Sequence, residues 1–295
     1  MDYLQQATER ARKRREGELG KTVTPGEDAA FNAGVTEAEP GTVWDSLAGD
    51  KAATAAPRPV HKSAGATSAA DVEFTRTRRV EPADATLEAN RVITALTNDA
   101  RVEVYRQLRS QVLGTLRKQG WSTLAITSPN EGAGKTVTAL NLAIAMAQEV
   151  NQTVLLVDLD LRKPELHTNL GIEVDKGIVD HLRGDAALAD VLIAPGFKRL
   201  VLLPGLPQGR HSSELLSAPA MARFLEDVTS RYPDRYVVFD LPPLLRDDDA
   251  MVFTPMVDCA LLVVEDGVTR PDEIERARQL LGDTPLLGSI LNKAR

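Results

Sequence analysis

The chain has 295 residues, enough for one large domain or two small ones, with 35 basic and 42 acidic side chains and a net charge of −7. That balance excludes a general nucleic-acid binder, which would carry a basic excess. The single cysteine, Cys259, excludes an intrachain disulfide, and no apolar run approaches the roughly 20 residues that a membrane span needs. Cys259 lies in the apolar run VDCALLVV and reads as a small buried hydrophobe. The N-terminus, MDYLQQATERARKRRE, has no signal-type apolar stretch. A soluble cytoplasmic protein is expected, with any membrane role coming through a partner.

Residues 1–19 can form a basic helix, with Leu4, Ala7 and Ala11 on one side and the cluster Arg12, Lys13, Arg14 and Arg15 behind them. The cluster suits an anionic surface, an acidic partner or simply a solvated helix end. From 20 to 86 Ala, Thr, Gly, Pro and Glu dominate without an apolar period, which predicts a disordered linker. A globular domain is expected over 87–295. The piece ANRVITAL (89–96) reads as extended. The following stretch, 100–120, predicts a helix whose buried stripe is Val104, Leu108, Val112 and Leu116. Glu103, Arg106 and Arg109, spaced by three, share one face of it. That face is either solvated or pairs with another copy.

Thr123–Thr127 and Thr153–Val157 are strands flanking a helix of crossover length. The turn between strand and helix is SPNEGAGKT. Gly132 and Gly134 free the backbone so that successive N–H groups can face one anion. Lys135 adds a point charge, expected to lie outside the core, and Thr136 a hydroxyl suited to Mg²⁺. The helix that follows offers its positive end to phosphate. Asn130, Glu131, Gly132, Ala133, Gly134, Lys135, Thr136 and Val137 are therefore the expected nucleotide-phosphate cradle. The usual pattern begins with Gly, but here Pro129 stands first.

Beyond it, GIVDHLRGD and ALADVLI are short helices, Leu200–Leu203 a strand, and SSELLSAPAMARFLEDVTSRY one helix capped by Ser212 or Ser213. Tyr236–Asp240 and Asp258–Val264 are strands, Arg270–Leu281 a helix opened by Pro271, and Leu286–Leu291 the last strand. Continuously apolar strands alternating with helices predict an α/β fold, a mostly parallel sheet with helices on both faces. Asp158, Asp160 and Asp240 stand at strand carboxyl ends, where ligands bind in open α/β sheets. Together with Thr136 they form a candidate Mg²⁺ site, and one of them can take the proton of an attacking hydroxyl. Lys135 and Arg162 are the candidate cations for a transferred phosphoryl group. The four histidines and the cysteine lack metal-ligand spacing.

Over about 87–295 this chain resembles the bacterial tyrosine kinases of capsule and exopolysaccharide assembly. Asp158-Leu-Asp160-Leu-Arg162 is similar to that family's extra Walker motif, and Asp240-Leu-Pro242-Pro243 with Asp249-Ala250 to its Walker B segment. Glu103-x-x-Arg106-x-x-Arg109 is similar to its ring-assembly motif, and Ser213-Glu214-Leu215-Leu216 to a further stretch. The resemblance implies a phosphate-loop NTPase fold shared with partitioning and septum-site ATPases. Those relatives place a signature lysine where this chain has Asn130. It implies ATP and Mg²⁺ as cofactors, protein-tyrosine kinase and ATPase activity, and a homo-oligomer through Glu103, Arg106 and Arg109. The implied partner is a membrane chain-length determinant, a polysaccharide co-polymerase on a separate chain. Two alternatives remain open: an ATP-dependent regulatory module without kinase activity, or a ParA/MinD-type positioning ATPase. The family's tail of clustered tyrosines is not found here. The tyrosines are Tyr3, Tyr105, Tyr232 and Tyr236, of which Tyr3 is the expected acceptor.

Overall fold

Apolar, β-rich runs set the centre of the molecule. The computed structural model describes residues 77–95, 101–208, 211–230 and 234–294. The expected basic helix, the linker up to residue 76, Tyr3 and Tyr232 lie outside them. Eight strands form one sheet in the order β1-β4-β5-β3-β6-β2-β7-β8. They are β1 Arg78–Arg79, β2 Thr123–Thr127, β3 Thr153–Asp158, β4 Ile193–Ala194, β5 Leu200–Leu203, β6 Arg235–Asp240, β7 Cys259–Glu265 and β8 Leu286–Asn292. Every pairing is parallel except that of β4 with β5. The parallel sheet expected from the continuously apolar strands is therefore present.

The helices are α1 Asp84–Ala89, α2 Val102–Gln119, α3 Lys135–Ala147, α4 Leu166–Asn169, α5 Ile178–Arg183, α6 Leu188–Val191, α7 Ser212–Ser217, α8 Pro219–Ser230, α9 Asp249–Phe253 and α10 Pro271–Leu280. Side chains alternate across the strands. Ala125, Leu155, Val157, Val237, Phe239 and Leu262 join one cluster with residues of α5, α7, α8, α9 and α10. At its centre the rings of Phe239 and Phe253 meet edge to face, 4.9 Å apart. Strand residues of the other parity, among them Leu124, Ile126, Val154, Leu156 and Val238, are also buried, and α3 packs against β2, β3 and β6.

Several expectations change. Of the expected extended piece, residues 89–95 are not extended: α1 ends there and Ile93–Ala95 forms a 3-10 turn. The expected domain boundary at 87 falls inside α1, and β1 extends the sheet further back. In α2 the buried residues are Val102, Val112, Leu113 and Leu116, while Val104 is 66% exposed. Steps of four residues drift by about 40° each on a 3.6-residue helix, so Val104 lies about 120° from Leu116. The helix expected over the 212–232 stretch breaks at Ala218, which is extended (ψ 149°) ahead of Pro219, because proline clashes with a preceding residue in the helical region. Neither Ser212 nor Ser213 caps it: Ser212 already lies within α7, and its buried hydroxyl has no partner. The strands β1 and β4, two residues each, carried no periodic signal.

The 77–95 segment is fastened to α3 by one buried amide. Asn141 Oδ1 accepts from Thr94 N (2.9 Å), its Nδ2 donates to Arg91 O (2.9 Å), and Thr94 Oγ1 donates to Asn141 O (3.0 Å). Asn141→Ala should cost about 2 kcal/mol, since two buried groups lose their partner. Limited proteolysis checks it: cleavage within 77–100 should precede global unfolding in the variant but not in the wild type.

Candidate functional site

β2 delivers the chain to the sheet's carboxyl edge and the glycines turn it. Gly132 and Gly134 have φ of 79° and 89°, left-handed values that side chains with a Cβ resist. The helix α3 starts at Lys135 with no acid in its first turn, which leaves its positive end for an external anion. The turn is gripped from outside. Asn292, at the end of β8, donates from Nδ2 to Ala133 O (2.8 Å), and a Cβ on Gly134 would strike that same amide nitrogen. Sequence reasoning missed Asn292, because nothing in its local pattern shows that β8 ends beside the loop.

The sheet register brings the acids together. Asp158 lies directly opposite Asp240 across β3 and β6, and Asp240 opposite Ile126 of β2. Lys135 Nζ sits among them, 2.7 Å from Asp160 Oδ2, 3.6 Å from Asp240 Oδ1 and 3.1 Å from Thr136 Oγ1. The lysine is 9% exposed, so the expectation that it lies outside the core is corrected. It is buried because the carboxylates around it are buried. Burial works against its charge, but Asp240, Asp160 and Asp158 outweigh that and raise its pKa. Asp158 is pushed well above the usual carboxylate range by burial and by Asp240, against backbone N–H donation from Leu166. Burial raises Asp240 to about 6 despite the pull of Lys135.

Lys135, Asp158, Asp160, Asp240 and Thr136 of the expected set therefore converge. Arg162 takes other partners. Its Nε and Nη2 each lie 3.3 Å from the buried carboxylate of Asp249, and Nη1 lies 3.1 Å from Asp247. Of the α2 face, Glu103 and Arg106 are exposed and paired with each other at 3.3 Å. Arg109 is turned inward, 3.4 Å from Glu149 and 3.3 Å from Ala145 O.

The residues fit a divalent cation held chiefly by a bound nucleotide. Both carboxylate oxygens of Asp240 are buried without a hydrogen bond, and one lysine faces three carboxylates. No group of three or more His, Cys, Asp or Glu among the described residues could hold a metal. Mg²⁺ needs no such group, because it keeps waters and binds through one or two protein ligands plus substrate phosphates.

The profile of the CobQ/CobB/MinD/ParA nucleotide binding domain matches residues 124–294. The chain is 32% identical over 192 residues to the tyrosine-protein kinase YwqD of Bacillus subtilis, covering 64% of this chain and 80% of that protein. It is 34% identical over 212 residues to the succinoglycan biosynthesis transport protein ExoP of Rhizobium meliloti, covering 69% of this chain but 26% of ExoP. It thus spans about a quarter of ExoP. Among solved structures it is similar to the chimerical protein CapA2B2, with TM-score 0.64, 26% identity and coverage of 74% of this chain and 93% of that one. It is also similar to the kinase domain of the Escherichia coli tyrosine kinase ETK, with TM-score 0.63, 27% identity and coverage of 69% and 82%.

The buried charges predict opposite stability changes. Asp240 binds its proton more tightly folded than unfolded, so its contribution falls as pH rises from 3.8 through about 6. Without ligand, Asp240→Asn should be more stable than wild type at pH 7, by up to about 3 kcal/mol, with the gain gone below pH 4. Lys135→Met leaves three buried acids without a counter-charge and should lose about 3 kcal/mol at pH 7, a loss that shrinks on acidification. Urea denaturation of both variants from pH 4 to 8 checks the pair of signs.

Proposed function

We propose a function from the premise that this chain belongs to the CobQ/CobB/MinD/ParA nucleotide-binding family and, within it, to the bacterial tyrosine kinases of capsule and exopolysaccharide assembly. It is an ATP-dependent protein-tyrosine kinase that regulates exopolysaccharide or capsule polymerisation and export. The observation that carries this reading is Lys135 held between Asp160 and Asp240 beside a glycine turn at the carboxyl ends of parallel strands. The N–H groups of residues 130–137 cradle the phosphates, and Lys135 moves from Asp160 toward them as a point charge. Thr136 and Asp240 would hold Mg²⁺, directly or through water, and the ion would supply positive charge to the transferring phosphoryl group. Asp158, in its ionised form, accepts the proton of the attacking phenol; burial and the neighbouring Asp240 raise its affinity for that proton. Arg162 acts through Asp249, fixing the loop after β6.

No helix of the described residues is long and apolar enough to cross a membrane. The similarity to the succinoglycan transport protein ExoP supports a membrane chain-length determinant as the partner that holds this chain at the inner membrane face. Glu103 and Arg106 reach a neighbouring copy, while Arg109 sets the angle of α2 on α3. Tyr105 is held in α2 with its hydroxyl on Thr138 and Tyr236 lies within β6, which leaves Tyr3 and Tyr232, and Tyr3 is the acceptor to test first.

Wild-type protein incubated with Mg·ATP and the partner's cytoplasmic segment should gain phosphotyrosine by mass spectrometry, and Lys135→Ala should gain none. ATP hydrolysis without phosphotyrosine on any chain would reduce the reading to an ATPase. For assembly, Arg106→Ala should lower the mass seen by light scattering with an unchanged Tm. Arg109→Ala should lower the Tm by a few degrees, as expected for losing a part-buried ion pair and a hydrogen bond.

A further inference from the structure

The segment after β6 lies alongside the phosphate turn, contact by contact. Thr127 Oγ1 donates to Pro242 O (2.7 Å). Leu244 N donates to Ser128 O (2.9 Å) and Leu245 N to Pro129 O (3.1 Å). The next contact along both segments is an ion pair, Arg246 with Glu131, and Glu131 immediately precedes Gly132 of the turn. Past Arg246 the segment is fixed again, with Arg162 on Asp247 and on buried Asp249. The backbone is therefore held on both sides of Arg246, and its half-exposed side chain rests between Glu131 and Asp247, whose Oδ2 lies 3.5 Å from Nε.

The pair itself is weakly held. Arg246 and Glu131 are 51% and 53% exposed, and exposed ion pairs contribute little. Glu131 places an anion at the mouth of a cradle built for anions. Arg162, the arginine that the motif suggested for the phosphoryl group, is committed to Asp249. Lys135 must serve three carboxylates as well as the phosphates. A guanidinium fork is suited to bidentate phosphate contact, which is stronger than the exposed pair with Glu131, and Nε can keep Asp247 while the Nη groups turn to the phosphate.

We propose that Arg246 is a switchable phosphate ligand: Glu131 holds it in the nucleotide-free protein, and it exchanges that carboxylate for the terminal phosphate of a bound nucleoside triphosphate. A diphosphate lacks the group it binds, so Arg246 distinguishes the two nucleotides. The inference rests on the nucleotide reading of the 128–136 turn.

Calorimetric titration with Mg·ADP and with a non-hydrolysable Mg·ATP analogue tests it in wild type, Arg246→Ala, Arg246→Lys and Glu131→Gln. Arg246→Ala should weaken the triphosphate analogue by about tenfold or more and change ADP by less than about twofold, as loss of one charge-assisted contact requires. Arg246→Lys should recover part of the loss, and Glu131→Gln should bind the triphosphate at least as tightly as wild type. Equal effects of Arg246→Ala on both nucleotides, or none on either, overturn the proposal. So does a Glu131→Gln variant weakened like Arg246→Ala, which would make the pair a structural staple. Wild-type protein that binds neither nucleotide overturns the reading of the turn itself, and this inference with it.

Discussion

The structure depends on one ammonium among buried carboxylates. Parallel pairing of β3 and β6 in register places Asp158 against Asp240, and neither acid can reach water. Two like charges in that setting require either a proton or a counter-ion. Lys135 is the counter-ion, and its position is fixed by a turn that exists only because Gly132 and Gly134 accept left-handed backbone. The resting site is thus a self-neutralising device with too little positive charge. That deficit favours any incoming cation, at the expense of stability when none is present.

The central sheet was legible because it is made of signals that a sequence carries locally. Continuous apolar runs such as Leu200–Leu203 leave few alternatives to a strand buried on both faces. The turn was legible because its chemistry needs glycine, lysine and threonine in a fixed order. The burial of Lys135 was not, because it follows from neighbours contributed by the ends of two other strands, β3 and β6. Asn292 and Arg246 were invisible for the same reason: each meets the loop through pairing between distant segments. The stripe of α2 failed differently. An i, i+4 count is right over one turn and wrong over four, so Val104 was assigned to the core although it faces solvent.

The segment after β6 has two jobs that the motif view separates. As part of an acidic motif it continues directly from Asp240, the last residue of β6. As a strip lying along residues 127–131 it also ties the turn to α9, where buried Asp249 receives the guanidinium of Arg162. The turn, the loop after β3 and the start of α9 thereby form one connected network rather than three independent loops. Hydrogen bonds and ion pairs join each of them to the next.

The strand that carries the turn, β2, is interior to the sheet, and its neighbours are β6 and β7 rather than β3. Thr123 pairs with Val237 and Leu124 with Cys259, partners far along the chain. Closing such loops costs entropy before any pairing repays it, which slows folding. The β2–α3–β3 unit can therefore collapse early, but it leaves an unfilled slot between its two strands until β6 arrives. During that interval the phosphate turn has neither Asp240 beside it nor Asn292 gripping it. A folding intermediate of this protein would expose two apolar strand edges around the slot, which makes it the species most open to wrong pairing with another chain.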